Sequence, residues 1–322
     1  MKKTDVSELK MIKTDEHTIS SGHLDVGNGH KVYYEEWGNP KADTAILMFH
    51  GGPGGSYKDN HKYSFDPIKH RVIAFDQRGS GNSLPYGELK YNTTEYLIVD
   101  AIKILDHLKL DTVNVYGGSW GSTLALLFAI EQPQRVKSVI VTGVFTGSRA
   151  ELDYVDKGHF IRFYPEVWER FVGSVPEQHA ANPAEFHYAQ LQSASHKKRV
   201  ASAKALEDLE SPLLRFDWQG YDDIKKDADK SDEYDEVSYL IYAHYMSNNC
   251  FLPESYVLNN AHRIKAPLYI VQGRYDMVCP PITAYTLHKA VAGSELIMTL
   301  GSHGRSDPET RTAIQTLIKT VF

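Results

Sequence analysis

A serine set among glycines is the residue pattern of this sequence that most directly indicates chemistry. It stands in Gly117-Gly118-Ser119-Trp120-Gly121, where a β-branched run ends and an apolar helical pattern begins. A hydroxyl on such a sharp strand-to-helix turn is held clear of its own strand, and its neighbours must be small because backbone passes close by. We therefore predict that Ser119 is a nucleophile rather than a surface turn serine. The backbone N–H of Trp120 is predicted to face the oxyanion.

A serine hydroxyl is a poor nucleophile by itself, so it needs a base, and the base needs an acid that fixes its tautomer. Two later strand patterns each lead to a suitable residue: LYIVQG to Asp276 and ELIMTL to His303. The order serine, acid, histidine, each after a strand, is the order expected of such hydrolases. We predict that Asp276 orients the imidazole and that His303 is the general base. Asp307 is a competitor for the acid, but it lies beyond His303, outside that order.

A second glycine-rich loop runs from His50 to Gly55, directly after the strand pattern AILMF. Glycines there let backbone approach a reacting carbonyl, and the N–H of Gly52 is predicted to complete the oxyanion hole with Trp120. One such donor lowers the barrier by about 3 kcal/mol. His50 is predicted to brace this loop rather than to react.

Composition limits the classes of partner. The 322 residues carry a formal charge of -6, and no block of Lys and Arg is long enough to track a phosphate backbone, so nucleic acid is not expected. No apolar run approaches the roughly 20 residues that span a bilayer. With an N-terminus that lacks a secretory apolar core and only two cysteines, we expect a cytoplasmic location and a small-molecule or short-peptide substrate. The oligomeric state is left open.

The order of the elements predicts an α/β fold. Short β-branched runs alternate with helical patterns at 94–108 and after Ser119, which indicates a mostly parallel central sheet flanked by helices. Asn92 and Glu95 are predicted to cap the first helix. From about Thr146 to Ala261 the alternation gives way to aromatic-rich helical segments, and strand patterns then resume. We predict a core of residues 1–145 and 262–322 with a helical cap of 146–261 inserted.

Four stretches resemble the proline iminopeptidase (prolyl aminopeptidase) family of α/β-hydrolases. They are HGGPGG at His50, DQRGSGNS at Asp76, GGSWGSTLAL at Gly117 and GRYDMVCPP at Gly273. The resemblance implies the α/β-hydrolase fold and an acyl-enzyme reaction that releases an N-terminal proline or small apolar residue. No cofactor is implied, and no metal, since the histidines lack paired ligand spacing such as H-E-x-x-H. The loop at Asp76 is expected to be architectural, with Arg78 as a substrate contact the minority alternative.

Members of that family carry two cap glutamates that hold the substrate's free amine, one in a Trp-Glu pair and one before His-Tyr. The stretches that resemble these are Trp218-Gln219 and Tyr242-Ala243-His244-Tyr245, in which neutral groups replace both acids. By this resemblance the cap residues expected to bind substrate are Trp218, Gln219, Tyr242 and Tyr245.

The replaced acids leave alternatives open. Removing one partner of a desolvated ion pair costs about 3 to 5 kcal/mol, so an esterase or amidase acting on neutral small substrates is the first alternative. Other acids of this region, which could supply the charge instead, are Asp217, Asp222, Glu236 and Glu254. An alternative of another class is a ligand-binding protein that keeps the fold without turnover.

Overall fold

An eight-stranded sheet forms the centre of the computed structural model, which describes residues 14–215, 218 and 235–322. The strands are β1 (Thr18–Gly27), β2 (His30–Gly38), β3 (Ala45–Phe49), β4 (Arg71–Phe75), β5 (Val113–Gly118), β6 (Val136–Thr142), β7 (Leu268–Gly273) and β8 (Glu295–Thr299). Their order in the sheet is β1-β2-β4-β3-β5-β6-β7-β8. The β1–β2 and β2–β4 pairs are antiparallel and all the others are parallel, which confirms the predicted mostly parallel sheet.

Helices cover both faces of the sheet, which is why strands such as AILMF are apolar at every position. The helices of the predicted core are α1 (Thr94–His107), α2 (Trp120–Glu131), α9 (Pro281–Ala290) and α10 (Pro308–Val321). α1 and α2 bury their apolar residues on one face, and Ile314, Leu317 and Ile318 of α10 do so on the other. The long apolar run after Ser119 is thus explained, because α2 packs on β3, β5, β6 and α1.

Helices also occupy the described residues between β6 and β7. They are α3 (Arg149–Asp156), α4 (Pro165–Gly173), α5 (Pro183–Leu191), α6 (His196–Leu213), α7 (Glu236–Ser247) and α8 (Tyr256–Asn260). α6 packs against α4, α5 and α7, and the described part of this region contains no strand. We keep residues 146–261 as a proposed cap on these grounds. None of the helices in the described chain is both long and apolar enough to cross a membrane.

Two local features differ from the expectations. The strand β1 was not predicted, because its sequence TISSGHLDVG is largely exposed at the sheet edge and is held mainly by pairing with β2. The predicted capping pair of Asn92 and Glu95 is wrong: Thr93 is the N-cap residue of α1. The amide of Asn92 instead donates to the carbonyl oxygens of Arg78 and Glu88, at 2.8 and 3.1 Å.

Candidate active site

Ser119 lies on the turn between β5 and α2 with φ 56° and ψ -130°, a conformation that a residue with a side chain rarely adopts. A Cβ added to Gly117 would lie 2.1 Å from the carbonyl oxygen of Gly121. One added to Gly121 would lie 2.3 Å from the carbonyl oxygen of Phe49. The turn therefore tolerates only glycine at both flanking positions, which is the steric reason for the motif.

His303 and Asp276 are brought together from the ends of different strands. Nδ1 of His303 lies 2.8 Å from Oδ2 of Asp276, which is buried. The other carboxylate oxygen of Asp276 accepts from the backbone N–H groups of Val278 and Cys279, at 3.0 and 2.7 Å. With its carboxylate fixed in this way, Asp276 orients the imidazole ring. The competitor Asp307 accepts hydrogen bonds from the N–H and hydroxyl of Ser302.

The charges around His303 raise the pKa of its imidazole, which suits a general base. Burial acts to lower its pKa, but the charge of Asp276, their hydrogen bond and the charge of Glu210 together outweigh burial and raise the pKa. With Nδ1 donating to Asp276, Nε2 is left as the accepting atom.

Gly143, at the end of β6, is a supporting residue that the sequence did not reveal. It has φ +51°, and a Cβ added there would lie 3.0 Å from Cε1 of His303. A glycine at this position leaves room for the imidazole ring. A lone glycine after a strand carries no pattern that distinguishes it from an ordinary turn, so only the structure identifies it.

One cavity of about 250 Å³ is lined by Ser119 and His303 together with Gly52, Trp120 and Tyr242. Most of its remaining wall is apolar, formed by Phe145, Leu152, Val155, Met246 and Val278. Three acidic residues also line it: Glu151, Asp156 and Glu210. We call it the carboxylate cavity.

Glu210 on α6 is the residue that the sequence reasoning missed. Burial raises its pKa from the ordinary value of 4.5 to about 7, against the effect of a hydrogen bond with Tyr242. A sequence pattern could have found it, since Ala203, Leu206 and Leu213 form the buried stripe of α6 and Glu210 falls on that stripe. A carboxylate on the inward face of an amphipathic helix needs a partner or a function.

The other two acids of the cavity differ in their partners. Glu151 accepts hydrogen bonds from Thr146 and Ser148 and caps the start of α3, so its role is structural. Asp156 accepts a hydrogen bond from the hydroxyl of Tyr188 at 2.7 Å, and burial raises its pKa to about 6.

The predicted oxyanion residues both line the carboxylate cavity. Gly52 has φ +129°, and a Cβ there would lie 2.6 Å from the N of Gly55. Trp120 is the first residue of α2, where backbone N–H groups have no partner within the helix. His50 is buried, its Nδ1 donates to the carbonyl of Gly51 and its Nε2 accepts from the N–H of Gln77, so the bracing role is confirmed.

Comparison with known proteins places this geometry in a family. The family model for the alpha/beta hydrolase fold matches residues 44–303. A probable proline iminopeptidase of Leptolyngbya boryana is 37% identical over 280 residues, 86% of each chain. This chain belongs to the proline iminopeptidase family. A proline iminopeptidase of Xanthomonas citri is 35% identical over 89% of this chain and 92% of its own. An α/β-hydrolase structure from a Medee basin deep-sea metagenome library superposes with a TM-score of 0.64 at 18% identity, over 92% of this chain and 95% of its own.

Only some of the residues that the family resemblance predicted to bind substrate line the carboxylate cavity. Tyr242 lines the carboxylate cavity, as expected. Tyr245 does not: it is buried, its hydroxyl donates to Asn92 at 2.8 Å and its ring packs on Trp120, so this prediction is corrected to a structural role. Trp218 packs against Tyr164, with ring centroids 5.9 Å apart, and is not among the residues that line the cavity. Gln219 lies outside the described residues.

The acids that were considered as substitutes for the family glutamates lie elsewhere. Glu236 pairs with Arg199, at 3.0 Å, and Glu254 accepts from the backbone N–H of Arg149, at 3.1 Å. Asp217 and Asp222 lie outside the described residues. The neutral groups at the two stretches that resemble the family's glutamate positions stay a prediction. Glu210, on α6, supplies a carboxyl group beside Tyr242 in the carboxylate cavity.

Arg78 is architectural, as the proline iminopeptidase resemblance implied. It is buried and donates through Nε and Nη2 to the carboxylate of Asp100, at 2.6 and 2.7 Å. A third bond goes to the carbonyl of Tyr91, at 3.1 Å. These bonds use most of its donors, and the loop beside the active site is held to α1.

Asp276, Cys279 and His303 place potential metal-ligand atoms within 4.8 Å of one another. Cys279 is a free thiol, and burial raises its pKa well above the ordinary value. Nδ1 of His303 is occupied by Asp276. The expected absence of a metal or cofactor stays a prediction.

Proposed function

We propose that this chain is a serine hydrolase that releases an N-terminal proline or small apolar residue from short peptides or amides through an acyl-enzyme. The observation that carries the proposal is the position of Glu210, whose carboxyl group faces the cavity that Ser119 and His303 also line. A carboxylate in a mostly apolar cavity is a partner for a substrate's protonated amine. Family membership supports the same reaction.

In this proposal the side chains and backbone N–H groups of the site share the steps of the reaction. Nε2 of His303 takes the proton of Ser119 as its Oγ attacks the scissile carbonyl, and Asp276 holds the imidazole in position. The N–H groups of Gly52 and Trp120 stabilise the oxyanion. His303 then protonates the departing amine, and water activated by the same imidazole releases the acyl group.

The cavity also supports the proposed size of the acyl residue. Its volume of about 250 Å³ and its apolar walls suit a small cyclic or aliphatic side chain. The amine would lie against Glu210, with the hydroxyl of Tyr242 beside it. Since the pKa of Glu210 is raised to about 7, an ammonium group favours the ionised carboxylate that the empty cavity disfavours.

The test compares proline β-naphthylamide with its N-acetylated form and with nitrophenyl esters of simple acids, near pH 8. We expect the free-amine substrate to be favoured over the acetylated one by about a hundredfold or more, the value of a desolvated ion pair. Equal rates on both would contradict the amine site. They would instead favour the esterase or amidase alternative, which the neutral hydroxyl of Tyr242 at a family glutamate position supports.

A fluorophosphonate probe separates either enzyme from a ligand-binding protein. We expect the probe to label Ser119, because the nearby His303 can act as base. A Ser119→Ala variant is the control and should not be labelled. Absence of labelling in the unaltered chain would favour the binding protein.

We also propose a cytoplasmic location and a short-peptide or small-molecule partner rather than nucleic acid or membrane. The two cysteines, Cys250 and Cys279, are both free thiols, in keeping with a reducing compartment. Fractionation of the native cells with a thiol-alkylation assay would test this.

A further inference from the structure

A second cavity, of about 290 Å³, also borders Ser119 and His303. It is lined by Ser119 and His303, by Gly143 and by Arg305, which follows His303 closely in the chain. We call it the arginine cavity. The serine and histidine line both cavities, so a peptide with its scissile carbonyl at Ser119 can extend into each of them.

The two cavities have opposite charge. The carboxylate cavity is lined by three acidic residues, and its described lining contains no Lys or Arg. The described lining of the arginine cavity contains Arg305 and no Asp or Glu. Burial, and after it the charge of Arg305, lowers the pKa of the neighbouring His61 to about 4, so His61 is neutral near pH 7. Arg305 therefore supplies the fixed positive charge of this cavity.

Among the described residues, the hydrogen-bond partners of Arg305 leave its charge available. Its Nη2 donates to Oδ1 of Asn60 at 2.9 Å, and its guanidinium bonds the buried hydroxyl of Tyr116. Both partners are neutral. By contrast, the structural guanidinium of Arg78 is matched by the carboxylate of Asp100. A half-buried guanidinium oriented by two neutral groups at a cavity wall is suited to bind a carboxylate that comes from outside the chain.

We propose that Arg305 binds the C-terminal carboxylate of the departing residue, and that the preferred substrates are therefore free dipeptides and tripeptides. This inference rests on the proposed function, because it takes the amine end of the peptide to lie in the carboxylate cavity. In a dipeptide the free carboxylate lies one residue beyond the scissile bond, about 3.8 Å along the chain in Cα terms. The protonated amine of a short free peptide would pair with the acidic residues of the carboxylate cavity, and its C-terminal carboxylate would pair with Arg305.

The experiment compares kcat/KM for Pro-Gly and for Pro-Gly-amide, which differ only in the terminal charge. For the unaltered chain we expect the free acid to be favoured by about tenfold to a hundredfold, as for one charge-assisted hydrogen-bonded contact. In Arg305→Gln we expect this ratio to fall to about one, mainly through KM, whereas Arg305→Lys keeps part of it. Proline β-naphthylamide, which has no carboxylate, is the reference substrate, and Arg305→Gln should lower kcat/KM for Pro-Gly by about tenfold or more relative to it.

Arg311→Gln is the matched control, since it removes the same charge from α10 without altering the lining of either cavity. A ratio near one in the unaltered chain overturns the proposal, and this result does not depend on whether any variant folds. An equal loss in Arg305→Gln and Arg311→Gln also overturns it, because the effect would then be one of overall charge. If the unaltered chain does not cleave proline β-naphthylamide, the proposed function itself fails; if it does and the ratio is one, only the role of Arg305 fails.

Discussion

The buried carboxyl group of Glu210 gives an expectation that links stability to substrate binding. Its pKa is raised from 4.5 to about 7, so between these pH values the folded chain holds a proton that the unfolded chain has released. Folding stability therefore falls as pH rises through this window, and the full cost is present above about pH 8. A shift of about 2.5 units corresponds to about 3 kcal/mol, or about 2 to 3 kcal/mol when the partial solvent exposure of Glu210 is taken into account.

Glu210→Gln removes the ionisable group but keeps its shape. We expect this variant to be more stable than the unaltered chain by about 2 to 3 kcal/mol near pH 8, with the difference almost absent near pH 4. Urea unfolding followed by tryptophan fluorescence at both pH values measures it. Glu169→Gln, an exposed site on α4, is the control and should change stability by less than about 0.5 kcal/mol at either pH.

The same variant should lose the substrate that the carboxylate recognises. We expect kcat/KM for proline β-naphthylamide to fall by about a hundredfold to several thousandfold in Glu210→Gln, with the N-acetylated substrate unchanged. Unchanged stability near pH 8, or a loss of stability equal at both pH values, would refute the reasoning. Full activity of the variant on the free-amine substrate would also refute it, because the carboxylate of Glu210 would then not bind the substrate's amine.

Three further variants test the remaining parts of the site. Ser119→Ala should lower turnover of proline β-naphthylamide by about 10⁴-fold or more, and a loss below tenfold would discard the nucleophile. Gly143→Ala places a methyl group about 3.0 Å from the ring of His303 at a positive φ, so kcat should fall by at least about tenfold with KM little changed. Tyr242→Phe removes a hydrogen bond that lowers the pKa of Glu210, so the acid limb of the kcat/KM profile on the free-amine substrate should move to higher pH.

The sheet was largely readable from the sequence because its strands are buried on both faces. The run AILMF is the strand Ala45–Phe49, as predicted, and RVIAF likewise forms the strand Arg71–Phe75, since a short continuous apolar run bounded by turns is typical of a buried strand. β1 was missed because its stability comes from pairing with β2 rather than from its own composition. Local pattern therefore fails where a partner strand supplies most of the stabilisation.

The predicted catalytic positions and the residues of the proposed cap differ in how far the local sequence reveals them. Ser119 stands in a turn whose sterics demand a fixed motif, so its place could be predicted from neighbouring residues alone. Glu210 and Tyr242 meet across two helices that are far apart in the chain, and no local spacing reveals that contact. The proposed role of Arg305 could not be predicted from its neighbours in the chain either, because it depends on which other residues line the arginine cavity.

The order in which the strands are connected has a consequence for how substrate preference can change among related hydrolases. The groups proposed to break the bond come from the ends of β3, β5, β7 and β8, whereas Glu210 and Tyr242 both come from the single connection between β6 and β7. A graft that replaces only this connection would change the residues proposed to recognise the substrate while keeping the strand ends that hold the proposed catalytic groups. Substrate recognition could thus vary between relatives on an unchanged sheet, provided that the new connection still packs on Trp120.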